Sequence, residues 1–211
     1  MSSINQNIIN ILRVNLGYKQ GEKVAIISQH WKEGLKVGLK PLFAKSQELA
    51  ERMFQIFKEN QVDVELLSYS PFKARNGVDA PPEIYEKIGQ KDILLMPTAF
   101  SLTHTLFRKE QTEKGTRTAS LPGAHLGMFE ENGPLDLDYL QLAQETKKIA
   151  DQLRKNPRVK ITGKGTEIEV EVDPKLVCED DGLLINPKNK GNLPAGEVFS
   201  IPLKAKGYFT V

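Results

Sequence analysis

The 211-residue sequence has few of the features that mark disulfide-rich, membrane-spanning or nucleic-acid-binding proteins. Its single cysteine, Cys178, excludes an internal disulfide framework. No apolar run approaches the ~20 residues that a membrane-spanning helix requires, and the N-terminus lacks the basic-then-apolar order of a signal peptide. The 29 basic and 27 acidic residues nearly cancel, to a net charge of +2, so the composition does not call for a polyanionic partner. We therefore expect a soluble cytoplasmic protein without a nucleic-acid or membrane partner.

Several motifs that carry well-known chemistry are also missing. The three histidines, His30, His104 and His125, do not have the short spacings of zinc-binding motifs. Gly163 and Gly165 lack the other glycines of a phosphate-binding loop and its strand-to-helix setting. Cys178 is followed by three acidic residues, whose charge disfavours a thiolate. The sequence thus predicts neither a nucleotide site nor a nucleophilic cysteine.

The first three quarters of the chain alternate short apolar runs with helical patterns. We predict strands at about 22–28, 62–69, 92–97 and 117–122, and helices at about 3–16, 45–60, 83–88, 104–114 and 136–155. Strands separated by helices are typical of an α/β fold with a doubly wound, mostly parallel sheet flanked by helices. In the last helix we expect an inward face, made by Leu137, Leu140, Ala143, Ile149 and Leu153.

From residue 158 the pattern changes to an alternation of apolar and polar residues with a period of two. This alternation predicts strands with one face in water. We therefore predict an α/β domain over residues 1–156 and a short β-rich segment over residues 157–211, which is too small to be expected to fold without packing on another element.

One candidate site lies in the loop after the third predicted strand. This loop is rich in hydroxyl groups and leads directly into a predicted helix. Ser101 lies in this loop, and His104 and Arg108 share a helical face because they are four residues apart. Together with free amides at the helix N-terminus these residues would bind a carboxylate or a phosphate. The alternative is structural: Ser101 or Thr103 caps the helix.

A second candidate site is Glu197, in the block Asn192-Leu-Pro-Ala-Gly-Glu-Val-Phe-Ser-Ile-Pro202. Pro194 favours a turn, and Gly196 can take a backbone conformation barred to other residues. Val198 and Phe199 would anchor the following strand. A carboxylate oriented in this way loses little entropy when it coordinates a divalent metal; the alternative is a solvent-facing glutamate at the start of a hairpin.

This block resembles the Asn-x-Pro-x-Gly-Glu-Val-Phe-Thr-x-Pro block of the thermophilic metalloaminopeptidases, the aminopeptidase T or leucyl aminopeptidase type. Residues 103–108 and 115–123 also resemble that family, less specifically. The resemblance implies the N-terminal portion of an enzyme that acts on peptides, with Glu197 as a ligand of a two-metal centre that holds zinc, cobalt or a similar divalent metal. It also implies a homodimer, and it makes residues 157–211 the start of the metal-binding catalytic domain.

The chain departs from the family after the block. The family's other ligands follow it, whereas here only nine residues follow Pro202, and none of them is His, Asp or Glu. We therefore expect this chain alone to bind no metal and to be inactive, and whether it is an enzyme stays open. Two further hypotheses remain: a relative of the iron-dependent ring-cleaving dioxygenases, which resemble these aminopeptidases, and a non-catalytic binding or assembly module derived from the same fold.

Overall fold

The computed structural model describes residues 3–210. Its helices are α1 (Ser3–Asn10), α2 (Lys40–Glu59), α3 (Pro82–Ile88), α4 (Leu106–Glu113) and α5 (Tyr139–Lys155). Its strands are β1 (Lys23–Gln29), β2 (Asp63–Tyr69), β3 (Ile93–Met96), β4 (Arg117–Ser120), β5 (Arg158–Gly163), β6 (Thr166–Val172), β7 (Cys178–Asp180), β8 (Lys190–Asn192), β9 (Glu197–Phe199) and β10 (Pro202–Tyr208). No helix within this described range is both long and apolar enough to cross a membrane.

The described chain divides into two compact units, and each unit is discontinuous in sequence. The first unit contains residues 3–137 and 182–194, and the second contains residues 138–181 and 195–210. The division predicted from the sequence, after residue 156, stays a prediction. In the structure the chain passes between the units after residues 137, 181 and 194.

The first unit is built on a five-stranded parallel sheet with the strand order β2-β1-β3-β4-β8. The predicted α/β fold with a parallel sheet flanked by helices is confirmed. The connection from β1 leads to β2 on one side, whereas β3 pairs on the other side of β1, so the strand order reverses next to β1. The fifth strand, β8, was not predicted, because Asn189, Lys190 and Gly191 are typical of a turn.

The core of the first unit surrounds this sheet. All four residues of β3 are fully buried, and β1 is buried from Val24 to Gln29. On α2 the apolar spacing predicts a buried face of Leu49, Met53, Phe54, Ile56 and Phe57; all of them are at most 2% exposed except Phe54, which is partly buried. Continuous apolar strands covered on both faces are what a parallel sheet between helices requires.

Two helix boundaries of the first unit differ from the predictions. The first helix ends at Asn10 and continues as a π-helical segment over Ile11–Asn15. Helix α2 begins at Lys40 rather than near residue 45, because Pro41 lies in its first turn, where a missing N–H costs no hydrogen bond. The segment between β1 and α2 therefore ends in a short 3₁₀ helix, Val37–Leu39, directly before α2.

The second unit combines α5 with two small antiparallel sheets. One sheet has the order β10-β6-β5, and the other pairs β7 with β9. Its buried apolar cluster is small: Ala150, Val172 and Val177, with Leu153, Val170 and Val198 packed against them.

The predicted inward face of the last helix is wrong in part. Leu140 and Ile149 of α5 are 59% and 55% exposed, and Leu137 before it is 47% exposed. The buried residues of α5 are instead Tyr139, Thr146 and Ala150. The packed stripe is narrow because the helix packs against short elements, so that several of its large apolar side chains stay outside the contact.

Candidate functional site

A cleft of about 610 Å³ lies in the first unit, at the carboxyl ends of its parallel strands. Its lining residues follow β1, β2, β3 and β4 in the chain or end β8: Leu42, Asn76, Ala99, Phe100, Ser101, Thr103, His104, Pro122, Gly123 and Asn192. In open α/β sheets, ligands bind outside the carboxyl ends of the strands where the strand order reverses. The cleft occupies that position, since β3 and β1 lie on either side of the reversal.

Gln29, the last residue of β1, holds the loop that forms one wall of the cleft. Its side chain is 1% exposed and donates a hydrogen bond to the Tyr69 hydroxyl at 2.8 Å. The side-chain oxygen of Gln29, Oε1, accepts a hydrogen bond from the backbone N–H of Phe100 at 2.9 Å. Burial raises the pKa of Tyr69 to about 12, so this hydroxyl stays protonated at neutral pH. The loop after β3 is thereby tied to β1 and, through Tyr69, to β2.

A chain of hydrogen bonds crosses the floor of the cleft. The Ser101 N–H donates to the Asn76 side-chain oxygen at 2.9 Å, and the Ser101 hydroxyl donates to the Thr103 hydroxyl at 2.7 Å. The Thr103 hydroxyl lies 3.0 Å from the Asn192 side-chain oxygen, which also accepts from Nη1 of Arg108 at 3.2 Å. These hydrogen bonds therefore connect the loop after β2 and the loop after β3 to the end of β8.

The structure places the three predicted ligand-binding residues differently. Ser101 and His104 line the cleft, and the His104 side chain forms no hydrogen bond within residues 3–210. Arg108 does not line it: its side chain is buried, and its guanidinium donates to the Gly191 carbonyl and the Asn192 side chain of β8. Binding of a ligand by these three residues stays a prediction.

The start of α4 also differs from the predicted start. The helix begins at Leu106, and its cap is Thr105, whose hydroxyl accepts from the Arg108 N–H at 3.3 Å. His104 therefore precedes the helix instead of sharing a face with Arg108. Neither Ser101 nor Thr103 is the cap, because both hydroxyls belong to the hydrogen-bonded chain on the cleft floor.

Sequence reasoning missed Gln29, Asn76 and Asn192 as residues of this cleft. Asn76 lies in a long loop, and Asn192 begins the block that was singled out for Glu197, so neither carried a signal that places it in this cleft. Only the sheet order brings them together, because β8 joins the sheet beside β4.

Glu197, the predicted metal ligand, begins β9 in the second unit. It lies directly opposite Asp180 of β7 in the antiparallel pair, and the Gly196 N–H donates to the Asp180 carbonyl at 2.8 Å. The expectation that Gly196 takes an unusual conformation is confirmed, with a φ of +119°. A Cβ at this position would also lie 3.1 Å from the Leu142 side chain. The backbone around Glu197 is thus fixed on both sides.

The Glu197 side chain lies on the exposed face of the β7–β9 pair. The neighbouring cross-strand pair, Glu179 and Val198, lies on the other face of the two strands. Val198 packs on the apolar cluster of the second unit, and Glu179 forms an ion pair with Arg154 at 2.7 Å. Because side chains alternate along a strand, Asp180 and Glu197 share the opposite face. Glu197 is exposed and forms no ion pair or hydrogen bond through its side chain with the described residues.

These residues do not fit a complete metal centre. Among residues 3–210 no three His, Cys, Asp or Glu side chains lie close enough to hold a metal ion together. Asp180 and Glu197 provide two facing carboxylates, whereas catalytic zinc takes three protein ligands. The role of Glu197 as a metal ligand stays a prediction.

Comparisons with known proteins found relatives at the level of structure alone. No family model and no curated protein matches the chain. A 2,5-dihydroxypyridine dioxygenase from Pseudomonas putida matches 98% of this chain with a TM-score of 0.63 and 12% identity. AmpT, an aminopeptidase T from Thermus thermophilus, matches 97% of it with a TM-score of 0.54 and 13% identity. The chain spans 59% and 63% of the length of these two proteins. At such identities the likeness shows the fold: this chain shares it with an aminopeptidase and with a dioxygenase.

Proposed function

We propose that this chain is the N-terminal part of a metal-dependent aminopeptidase of the leucyl aminopeptidase type, which releases N-terminal residues from peptides. Glu197 is one of its metal ligands. The observation that carries the proposal is the register of β7 and β9, which sets the exposed Glu197 directly opposite the partly exposed Asp180. The fold shared with AmpT and the resemblance of residues 192–202 to the metalloaminopeptidase block support the same function.

The physical argument rests on charge. Two carboxylates directly opposite each other in an antiparallel pair repel and destabilise it. A divalent cation bound between them attracts both carboxylates and so removes this repulsion. The fixed backbone of residues 196 and 197 keeps the entropy lost on coordination small. The exposure of Glu197 leaves its carboxylate accessible to a cation.

The proposal separates cation binding from catalysis. Two carboxylates are fewer than the three protein ligands of a catalytic metal ion, so we expect no hydrolysis from the 211-residue chain alone. The side chains that complete the centre are then supplied by further residues of the natural protein. Release of leucine from a leucyl anilide that depends on added cobalt or zinc, by the purified 211-residue chain, would contradict this expectation.

Calorimetric titration with Co²⁺ tests the role of Glu197. The sequence alone led us to expect no metal binding by this chain. Because Asp180 lies opposite Glu197, we now expect one weak site, with a dissociation constant on the order of 10⁻³ M for so few charged ligands, and its loss in Glu197→Gln. The matched control is Glu169→Gln, which removes the same charge from β6, where Glu169 lies opposite Lys160 and Lys206. Binding that is absent in the unchanged chain, or equal in Glu197→Gln, would refute the proposal.

A second candidate function is ring cleavage by an iron-dependent dioxygenase. The observation that favours it is the match to the dioxygenase, which has the higher TM-score of the two solved structures and covers 98% of this chain. Oxygen uptake by the natural gene product with Fe²⁺ and 2,5-dihydroxypyridine would support this candidate. Leucine release with Co²⁺, without oxygen uptake, would support the aminopeptidase.

A further inference from the structure

The cleft of the first unit presents two side-chain amides whose orientation is fixed by their partners. The Asn76 oxygen accepts from the backbone N–H of Ser101, and the Asn192 oxygen accepts from the Arg108 guanidinium. Both partners are donors only, so neither amide can be turned around without losing its hydrogen bond. In each case the side-chain oxygen accepts a hydrogen bond from the protein, and the NH₂ group is left as a possible donor to a ligand.

Neither NH₂ group donates a hydrogen bond to the part of the chain that the structure describes. Nδ2 of Asn76 and Nδ2 of Asn192 have no hydrogen-bond partner among residues 3–210, although both residues line the same cleft. Each NH₂ group carries two donor hydrogens and no acceptor. Each of the two amides therefore presents a pair of donors at the cleft, and a carboxylate, whose oxygens are acceptors only, is a ligand suited to such donors.

The donors are held in place before any ligand arrives. Asn76, Ser101, Thr103 and Asn192 form one continuous chain with distances of 2.9, 2.7 and 3.0 Å. The Arg108 guanidinium closes it at the Asn192 end. A positive charge on the oxygen side of an amide strengthens its N–H groups as donors. Donors that are already ordered lose little entropy when they bind.

The remaining wall of the cleft is apolar. Leu42, Phe100 and Pro122 lie along it, and the Phe100 ring is held by a tilted contact with Phe43 at 5.8 Å between ring centres. Lys and Arg do not line the cleft, and no glycine-rich loop cradles a phosphate there. The chemistry thus favours a flat carboxylate joined to an apolar group over a phosphate.

We propose that this cleft binds a small organic carboxylate with an apolar substituent, whose carboxylate accepts hydrogen bonds from Nδ2 of Asn76 and Nδ2 of Asn192. Phe100 and Leu42 contact the apolar substituent. Arg108 acts as a positioning residue, because it touches Asn192 and not the cleft. The site uses none of the residues assigned to the cation site of the second unit, so either proposal can fail without the other.

Benzoate is a suitable probe, because it joins a carboxylate to a flat apolar ring. Titration of ¹⁵N-labelled protein with benzoate, followed by two-dimensional NMR, should shift the side-chain NH₂ signals of Asn76 and Asn192. Benzyl alcohol, which lacks the carboxylate, should bind at least about tenfold more weakly, since a hydrogen bond to a charged group contributes at least that factor. Inorganic phosphate keeps the charge but lacks the ring, so it should also bind at least about tenfold more weakly, because it loses the apolar contact with Phe100 and Leu42.

Substitutions separate this site from non-specific binding. Asn76→Ala and Asn192→Ala should each weaken benzoate binding at least about tenfold. Asn76 is exposed, so its substitution tests the site even where Asn192→Ala disturbs β8. The control Asn10→Ala removes the same amide from α1, outside the cleft, and should bind benzoate unchanged. No benzoate binding, equal affinity for benzyl alcohol, or full binding by Asn76→Ala would overturn the proposal.

Discussion

The two compact units bury their strands to very different extents. In the first unit β3 and β4 are buried at every residue, and β1 at all but its first residue. In the second unit β10 is exposed at every residue, and β5 is exposed at all but one. The same chain therefore uses two ways of holding strands together: a continuous apolar core in the first unit, and backbone ladders with charged cross-strand neighbours in the second.

This difference has consequences for stability. Burial of apolar surface is the dominant favourable term in folding, whereas exposed ion pairs contribute little. We therefore expect substitutions to be costly in the first unit and nearly neutral at the exposed strands and helix face of the second. Each of the three predictions below pairs one change in the first unit with its counterpart in the second.

The largest effects are expected for a buried aromatic side chain. Phe107 is fully buried and contacts Tyr85 edge-on at 5.0 Å between ring centres. Phe107→Ala should lower the free energy of unfolding by about 3–5 kcal/mol. Ile149→Ala, on the exposed face of α5, should change it by less than about 0.5 kcal/mol. Urea unfolding followed by circular dichroism measures the free energy of unfolding of both variants. Similar decreases in the two variants would contradict the proposed difference between the units.

A comparable loss is expected from a buried ion pair. Arg117 is 5% exposed; it pairs with Glu22 at 2.6 Å and donates to the carbonyl of Gly17 at 3.0 Å. Arg117→Met leaves a half-buried carboxylate without its partner, so we expect a loss of up to about 3 kcal/mol. The counterpart is Arg158→Met on β5, where the pair with Glu171 is 3.8 Å long and largely exposed. It should cost less than about 0.5 kcal/mol in the same assay.

The smallest effect concerns alkaline pH. The pKa of Tyr69 is raised by burial from 10 to about 12. Its proton therefore stabilises the folded state fully below pH 10, and this contribution is lost as the pH rises from 10 through 12. At pH 10.5 the loss is below about 1 kcal/mol, and Tyr69→Phe should show less of it. Tyr208→Phe, at an exposed tyrosine of the second unit, is the control. A loss of stability between pH 8 and 10.5 that is unchanged in Tyr69→Phe would contradict the assignment.

The same contrast explains how much the sequence could predict. Strands β1 and β3 were located because a strand buried on both faces is a continuous apolar run between turns. The three-residue strand β8 was missed, since Lys190, Gly191 and Asn192 have no strand pattern and become a strand only by pairing with β4. The face of α5 was predicted wrongly for a related reason: apolar spacing shows where a helix could pack, not how wide the surface beneath it is.

The two candidate sites also differ in how much of each could be predicted from the sequence. The fixed backbone at Glu197 was predictable because its neighbours in the chain, Gly196 and Val198, constrain it locally; its role as a metal ligand stays a prediction. Asp180, which we propose as its partner, lies opposite it through strand pairing and carries no signal of its own in the sequence. The donors of the cleft were missed because Asn76 and Asn192 meet only through the order of the parallel sheet.

The most direct test of the central claim, that Glu197 and Asp180 face each other to hold a cation, is anomalous diffraction from crystals of this protein soaked in Co²⁺. The account predicts an anomalous peak between the two side chains, with carboxylate oxygens about 2.0–2.2 Å from the metal, and no such peak in Glu197→Gln crystals. A map without a peak at Glu197, or a cobalt ion held there equally well in Glu197→Gln crystals, would contradict it.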